Sequence, residues 1–249
     1  MKPAAHSHAA SEPSPILYER LAGAAYLVII IVAVLYGGLV ESKLVVSGDD
    51  AATAANIIAQ QGLFRVGIIL MLVIYTAVIV AAWALYVLLK AVDTNLALLG
   101  LLFRSAEAVL GAATVLPGFV ALHLLTDSAP ANAFEPQQVQ ALVGQILALR
   151  VTGLDIVLVF IGVGATVFCY LLFRSKLIPR TLAAWGMVTY VSMLLLGIVS
   201  ILVPDHPPML ETILYGAGSA FELIFGLWLL FKGIDLQQWR AYATPSPSP

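Results

Sequence analysis

The chain has 249 residues, of which 61% are hydrophobic and 10% charged, and its formal net charge is −2. A soluble domain carries about a quarter charged residues, and this much apolar surface in water would form large exposed patches. The near-neutral balance offers nothing for nucleic acid, and the single cysteine, Cys169, excludes an intrachain disulfide and a cysteine-built metal cluster.

Residues 1–16 are rich in Ala, Ser, Pro and His and cannot bury a core, so they read as a disordered tail. His6 and His8 fall in it and read as solvated. Apolar segments follow at 17–40, 63–89, 95–125, 150–173, 182–203 and 209–231. About 20 residues at 1.5 Å each cross a ~30 Å hydrocarbon core, so each segment is long enough. In lipid the backbone must pair within its own segment, which dictates helix. The short alternating strands of a barrel are absent. The first segment is too long for a removed signal peptide and lacks a small-residue cleavage site, so it reads as an uncleaved span. Two stretches, 49–61 and 135–149, have helical patterns with an apolar side. Neither is basic, so they are expected to extend the second and fourth helices outward rather than lie in the interface. Residues 17–233 thus form the membrane domain, and 234–249 a second tail ending in a Pro- and Ser-rich run.

Charge sets the orientation. Lys2, Arg20, Lys90, Arg174, Lys176, Arg180, Lys232 and Arg240 fall at one set of helix ends. The opposite loops hold Lys43 with Glu41, Asp49, Asp50, Asp127, Glu135 and Asp205. The basic side is expected to be cytoplasmic. The fold predicted is an all-α membrane protein: a six-transmembrane-helix bundle, N- and C-termini cytoplasmic, built of three outward-opening hairpins in a bacterial inner membrane. Connections at 90–94 and 174–181 are short, and the first two outer loops are longer.

Charges inside hydrocarbon are costly and therefore informative. In the third helix Arg104 and Glu107 are three residues apart, on one face. That face continues through Gly100, Gly111, Thr114 and Gly118, a small-and-polar stripe that lets helices approach closely. Pro117 is expected to kink the helix. Glu222 lies in the sixth helix between Gly218 and Gly226, at a depth matching Arg104, and the two are predicted to pair with Glu107 nearby. An outer polar layer is read from Arg65, Arg150, Asp155 and Glu211. The inner layer has two carboxylates to one guanidinium. The surplus acid must be protonated, solvated in a cavity or matched by a cation. A lock that fixes helix packing is the competing reading.

Other chemistries lack their residues. His123 and His206 both fall near the outer ends, and His123 and Asp127, one turn apart, have no third ligand for a metal. Ser105, Ser192, Ser200 and Ser219 have no histidine at matching depth. A phosphate-binding glycine loop is missing, as is a histidine pair for haem. Trp83, Trp185, Trp228 and Trp239 read as interface anchors. No cofactor or metal is expected.

Several stretches resemble a known family: Glu19-Arg20-Leu21-Ala22-Gly23, Leu102-Phe103-Arg104-Ser105-Ala106-Glu107-Ala108, Phe173-Arg174-Ser175-Lys176-Leu177-Ile178-Pro179-Arg180 and Phe221-Glu222-Leu223. Together they resemble the bacterial multi-spanning family named domain of unknown function 4386, over about residues 15–235. The resemblance implies this topology and matched positions at Arg20, Arg104, Glu107, Arg174, Pro179 and Glu222. It supplies no activity.

The function expected is non-enzymatic: binding or moving a small cation, a proton or an amphipathic ligand at the Arg104, Glu107 and Glu222 cluster. The alternatives are a structural or accessory subunit and, lowest, an intramembrane lipid- or isoprenoid-modifying enzyme. The partners expected are the bilayer, a small-molecule or lipid ligand, and a second copy or another membrane protein.

Overall fold

A computed structural model describes residues 14–126, 135–203, 205 and 207–244. The expectations for His6, His8, Asp127 and His206 fall outside these residues.

Helix α1 spans Pro15–Leu35, opened by a proline whose missing N–H costs nothing at the first helical position. It continues through a π-helical turn, Tyr36–Glu41, and a last α-turn, Ser42–Leu44. Helix α2 is Asp50–Ala59, capped by Asp49, which accepts from the Ala52 N–H at 2.8 Å. Gln60, at φ −127° and ψ 44°, breaks the helix before α3, Gln61–Leu89, begins. The 49–61 stretch is therefore not an extension of the second span but a separate cap helix, a correction with a backbone cause. Asp93 caps the next helix, accepting from Leu96 N–H at 3.0 Å. That helix is α4, Thr94–Ala113, followed after a two-residue turn by α5, Leu116–Thr126. The interruption falls just before Pro117, whose ring and absent N–H disrupt the preceding turn.

Helix α6 runs unbroken from Pro136 to Ser175, so the 135–149 stretch does extend the fourth span. Its start is a capping box of Glu135 and Gln138. It ends at Lys176, which turns the chain in a left-handed conformation with φ 59°. Helices α7, Arg180–Leu202, and α8, Pro208–Phe231, complete the spans. A short helix, α9, Leu236–Ala243, follows Gly233 at φ 76°. Six of these units are long and apolar enough to cross a membrane, with α4 and α5 together making the third.

The spans form a closed ring in chain order. Helix α1 packs against α3, α3 against α4, α4 against α6, α6 against α7, α7 against α8, and α8 against α1. Glycines make the tight contacts. A Cβ on Gly23 would meet the Gly226 carbonyl and the Leu230 nitrogen at 2.7 Å, so α1 and α8 touch backbone to backbone. Gly162 does the same for α6 against Leu194 of α7. The apolar core is continuous at the basic end, around Tyr26, Leu85, Phe168, Phe221 and Phe225. The outer flanks expose Val34, Leu102, Val109, Val188 and Leu202, side chains fit for lipid.

At the basic end α9 folds back onto the spans. The Trp239 indole N–H donates to the Leu88 carbonyl at 3.0 Å, and the Asp235 N–H to the Leu177 carbonyl at 2.8 Å. Glu19, 3% exposed, accepts from the Ile234 N–H at 2.6 Å and lies against Gly233. The carboxylate thus fastens the first helix to the segment after the last span.

Candidate functional site

The whole stripe predicted on the third span is buried: Gly100, Arg104, Glu107, Gly111, Thr114 and Gly118. Phe168 lies over Gly100 and the Tyr75 ring over Gly111, where any side chain would collide. Arg104, Glu107 and Glu222 are 2%, 3% and 8% exposed, so none faces lipid.

Their pairing differs from the one expected. Arg104 Nη1 contacts Glu107 Oε2 at 2.7 Å, one helical turn away. The approach is off the N–H axis, so charge holds it rather than an aligned hydrogen bond. Glu222 is instead bound by the Tyr190 hydroxyl, which donates to Oε1 at 3.0 Å. The reason is proximity: Glu107 reaches Arg104 within one helix, whereas Glu222 must reach across the bundle. Arg104 still lies near enough to Glu222 to feel its charge, and the Tyr26 and Tyr190 hydroxyls lie beside them. Cys169 borders the same group. Helices α1, α4, α6, α7 and α8 thus each contribute a member.

Aromatic rings wrap this cluster. Tyr26 meets Phe225 edge-on at 5.1 Å, Phe225 stacks on Phe221 at 5.5 Å, and Phe221 meets Tyr190 edge-on at 5.6 Å. Such contacts hold the hydroxyls in place. Sequence reading missed Tyr26 and Tyr190. The available signal was their position on the small-residue faces of their helices, with Ala22 and Gly23 in α1 and Gly186 in α7.

The four residues read as an outer layer occupy three places. Arg65 is exposed and lines a shallow depression with Phe119 and His123. Asp155 and Glu211 both lie near the Tyr215 hydroxyl. Arg150 is half-buried: its Nη1 donates to the Tyr36 hydroxyl at 2.5 Å, and its Cζ lies 5.0 Å from that ring's centre.

Arg150 lines a cavity of about 270 Å³ among the acidic ends of the first four spans. Val40, Leu44, Phe64, Ile68, Met71 and Leu147 supply apolar wall. Thr53 and Ile57 of α2 close it from outside. The cap is tied down: the Thr53 hydroxyl accepts from the Val46 N–H at 3.0 Å, and Asp50 packs onto Gly144 of α6. The π-turn belongs to the wall, bringing Tyr36 and Val40 onto Gly67 of α3. Such turns recur at functional sites. Inward, the Tyr75 hydroxyl lies near Thr114, Arg150 and Glu107, between the cavity and the central cluster.

Among the described residues no three His, Cys, Asp or Glu side chains are grouped to hold a metal ion. His123 is exposed on α5.

A ring of apolar helices around buried charges defines a multi-pass membrane protein. The family model described as "Domain of unknown function (DUF4386)" matches residues 21–233, and the chain belongs to that family. No curated protein and no solved structure matches it.

Proposed function

We propose that this is a membrane binding protein that takes an amphipathic molecule with an anionic group into the Arg150 cavity. The single observation that carries the reading is a half-buried guanidinium in an otherwise largely apolar, helix-capped cavity of about 270 Å³. Pockets of this kind pair apolar walls with a few placed polar groups. Glu41 and Asp50 also line it, but both are exposed, so solvent and salt screen them more than Arg150. The Arg104, Glu107 and Glu222 cluster serves as a packing lock beneath the site, since its charges meet partners directly. In this reading the cavity opens outward from a bacterial inner membrane, and the basic end, with both termini, faces the cytoplasm.

Isothermal titration with octanoate and with octanol, on the purified chain in nanodiscs, tests the site. Octanoate should bind better than octanol, and Arg150→Met should weaken octanoate about tenfold to a hundredfold, the worth of one charged hydrogen bond. Equal affinity for the acid and the alcohol, or an unaffected variant, refutes it.

A further inference from the structure

The turn between α6 and α7 and the end of α8 border an open groove of about 610 Å³ at the basic end. Three cations line it, Lys176, Arg180 and Lys232, against one carboxylate, Asp235. That carboxylate is already engaged: Oδ1 accepts from the Gln237 and Gln238 N–H groups at 2.9 and 3.0 Å. Among the described residues none of the three cations stands in an ion pair, whereas neighbouring Arg174 pairs with Asp93 at 3.6 Å. Arg180 rests on the Phe173 ring, 5.3 Å from its centre, a face contact that uses no N–H donor.

The backbone adds an independent indication. Lys176 has φ 59°, a left-handed conformation that disfavours a side chain and that helix ends usually give to glycine. Glycine would make this turn more easily and lose the charge, so the turn alone does not explain a lysine there. On the apolar side Trp228 lines the groove, and Phe231 is 69% exposed next to Lys232. The groove therefore lies where the apolar surface of α8 gives way to water.

We infer that this groove binds the phosphate head group of an anionic phospholipid. Lys176, Arg180 and Lys232 hold the phosphate oxygens, and the acyl chains run along α8 past Phe231. Basic pockets between spans suit such head groups, and a guanidinium matches phosphate geometry. The adjoining exposed aromatic surface selects a lipid over a soluble phosphate.

Native mass spectrometry of the full chain in detergent tests this, titrating phosphatidylglycerol, phosphatidylcholine, and phosphatidylglycerol with added inorganic phosphate. Phosphatidylglycerol should bind more tightly than phosphatidylcholine and withstand equimolar phosphate. K176Q/R180Q/K232Q should weaken it on the order of a hundredfold, roughly fivefold per cation. The charge-keeping K176R/R180K/K232R should retain binding, as should K43Q at the opposite end. If the triple neutral variant does not fold, K232Q alone carries the test, with about a fivefold loss expected. Unselective lipid binding, undiminished binding to the folded neutral variants, or displacement by equimolar phosphate overturns the proposal.

Discussion

Arg104 and Glu107 show how much a buried charge depends on its nearest partner. Both are almost fully enclosed, and each is the other's only ion-pair partner among the described residues. Removing one leaves an uncompensated charge, which costs about 3–5 kcal/mol. Arg104→Met should therefore lower the thermal unfolding midpoint in detergent sharply, and adding Glu107→Gln should recover most of the loss. Arg104→Met with Glu222→Gln should recover much less, because Glu222 is held by Tyr190. Equal rescue by both would mean that the three groups act as one undivided cluster. The burial of these residues was legible because charge in an apolar helix must turn inward. Their pairing was not, because spacing along one helix says nothing about how far α8 stands from α4. Tyr26 and Tyr190 were harder still, since an uncharged hydroxyl carries no comparable penalty at a membrane-facing position.

Among the elements, α2 carries the clearest test. It is held over the cavity by Asp50 against Gly144, where even one Cβ would strike the carboxylate. Gly144→Phe, too large to be met by swinging the exposed Asp50 carboxylate aside, should lift the cap and weaken octanoate binding, while the unfolding midpoint of the bundle moves by no more than about 2–4 °C, as for a change of about 1 kcal/mol. Unchanged binding in that variant would show that α2 is not the roof. The six spans were legible because bilayer thickness sets their length. The break at Gln60 was not: no proline marks it, and the helical pattern runs through 49–61 without interruption. The fastening of Glu19 to Ile234 was also hidden, because it joins residues 215 positions apart.

The whole molecule is a ring whose two ends differ in charge. Arg20, Lys90, Arg174, Lys176, Arg180 and Lys232 outnumber Glu19, Asp93 and Asp235 at one end, and Glu41, Asp49 and Asp50 outnumber Lys43 at the other. A membrane-impermeant maleimide on intact cells reads the orientation through Ser47→Cys and Thr244→Cys, both exposed positions. Ser47→Cys should label directly and Thr244→Cys only after permeabilisation. Cys169 is buried and should stay silent. The reverse pattern would invert the assignment. The order of spans around the ring follows the chain, which simple hairpin connections favour. Its closure by α1 and α8 rests on Gly23 and Gly226, whose role only contact geometry reveals.

The ion pair within α4 also bears on how the chain enters the membrane. Synthesis delivers the third span before α6, α7 and α8 exist, so Cys169, Tyr190 and Glu222 cannot yet receive it. A lone arginine or glutamate would then face lipid, where the insertion scale assigns a centred charge about 2.5–3.5 kcal/mol. Because Arg104 and Glu107 touch within one helix, the span carries its own counter-charge, which lowers the cost of lying in lipid before its later neighbours arrive. Glu222 carries no cation of its own in α8, yet it arrives last, when Tyr190 is in place to receive it.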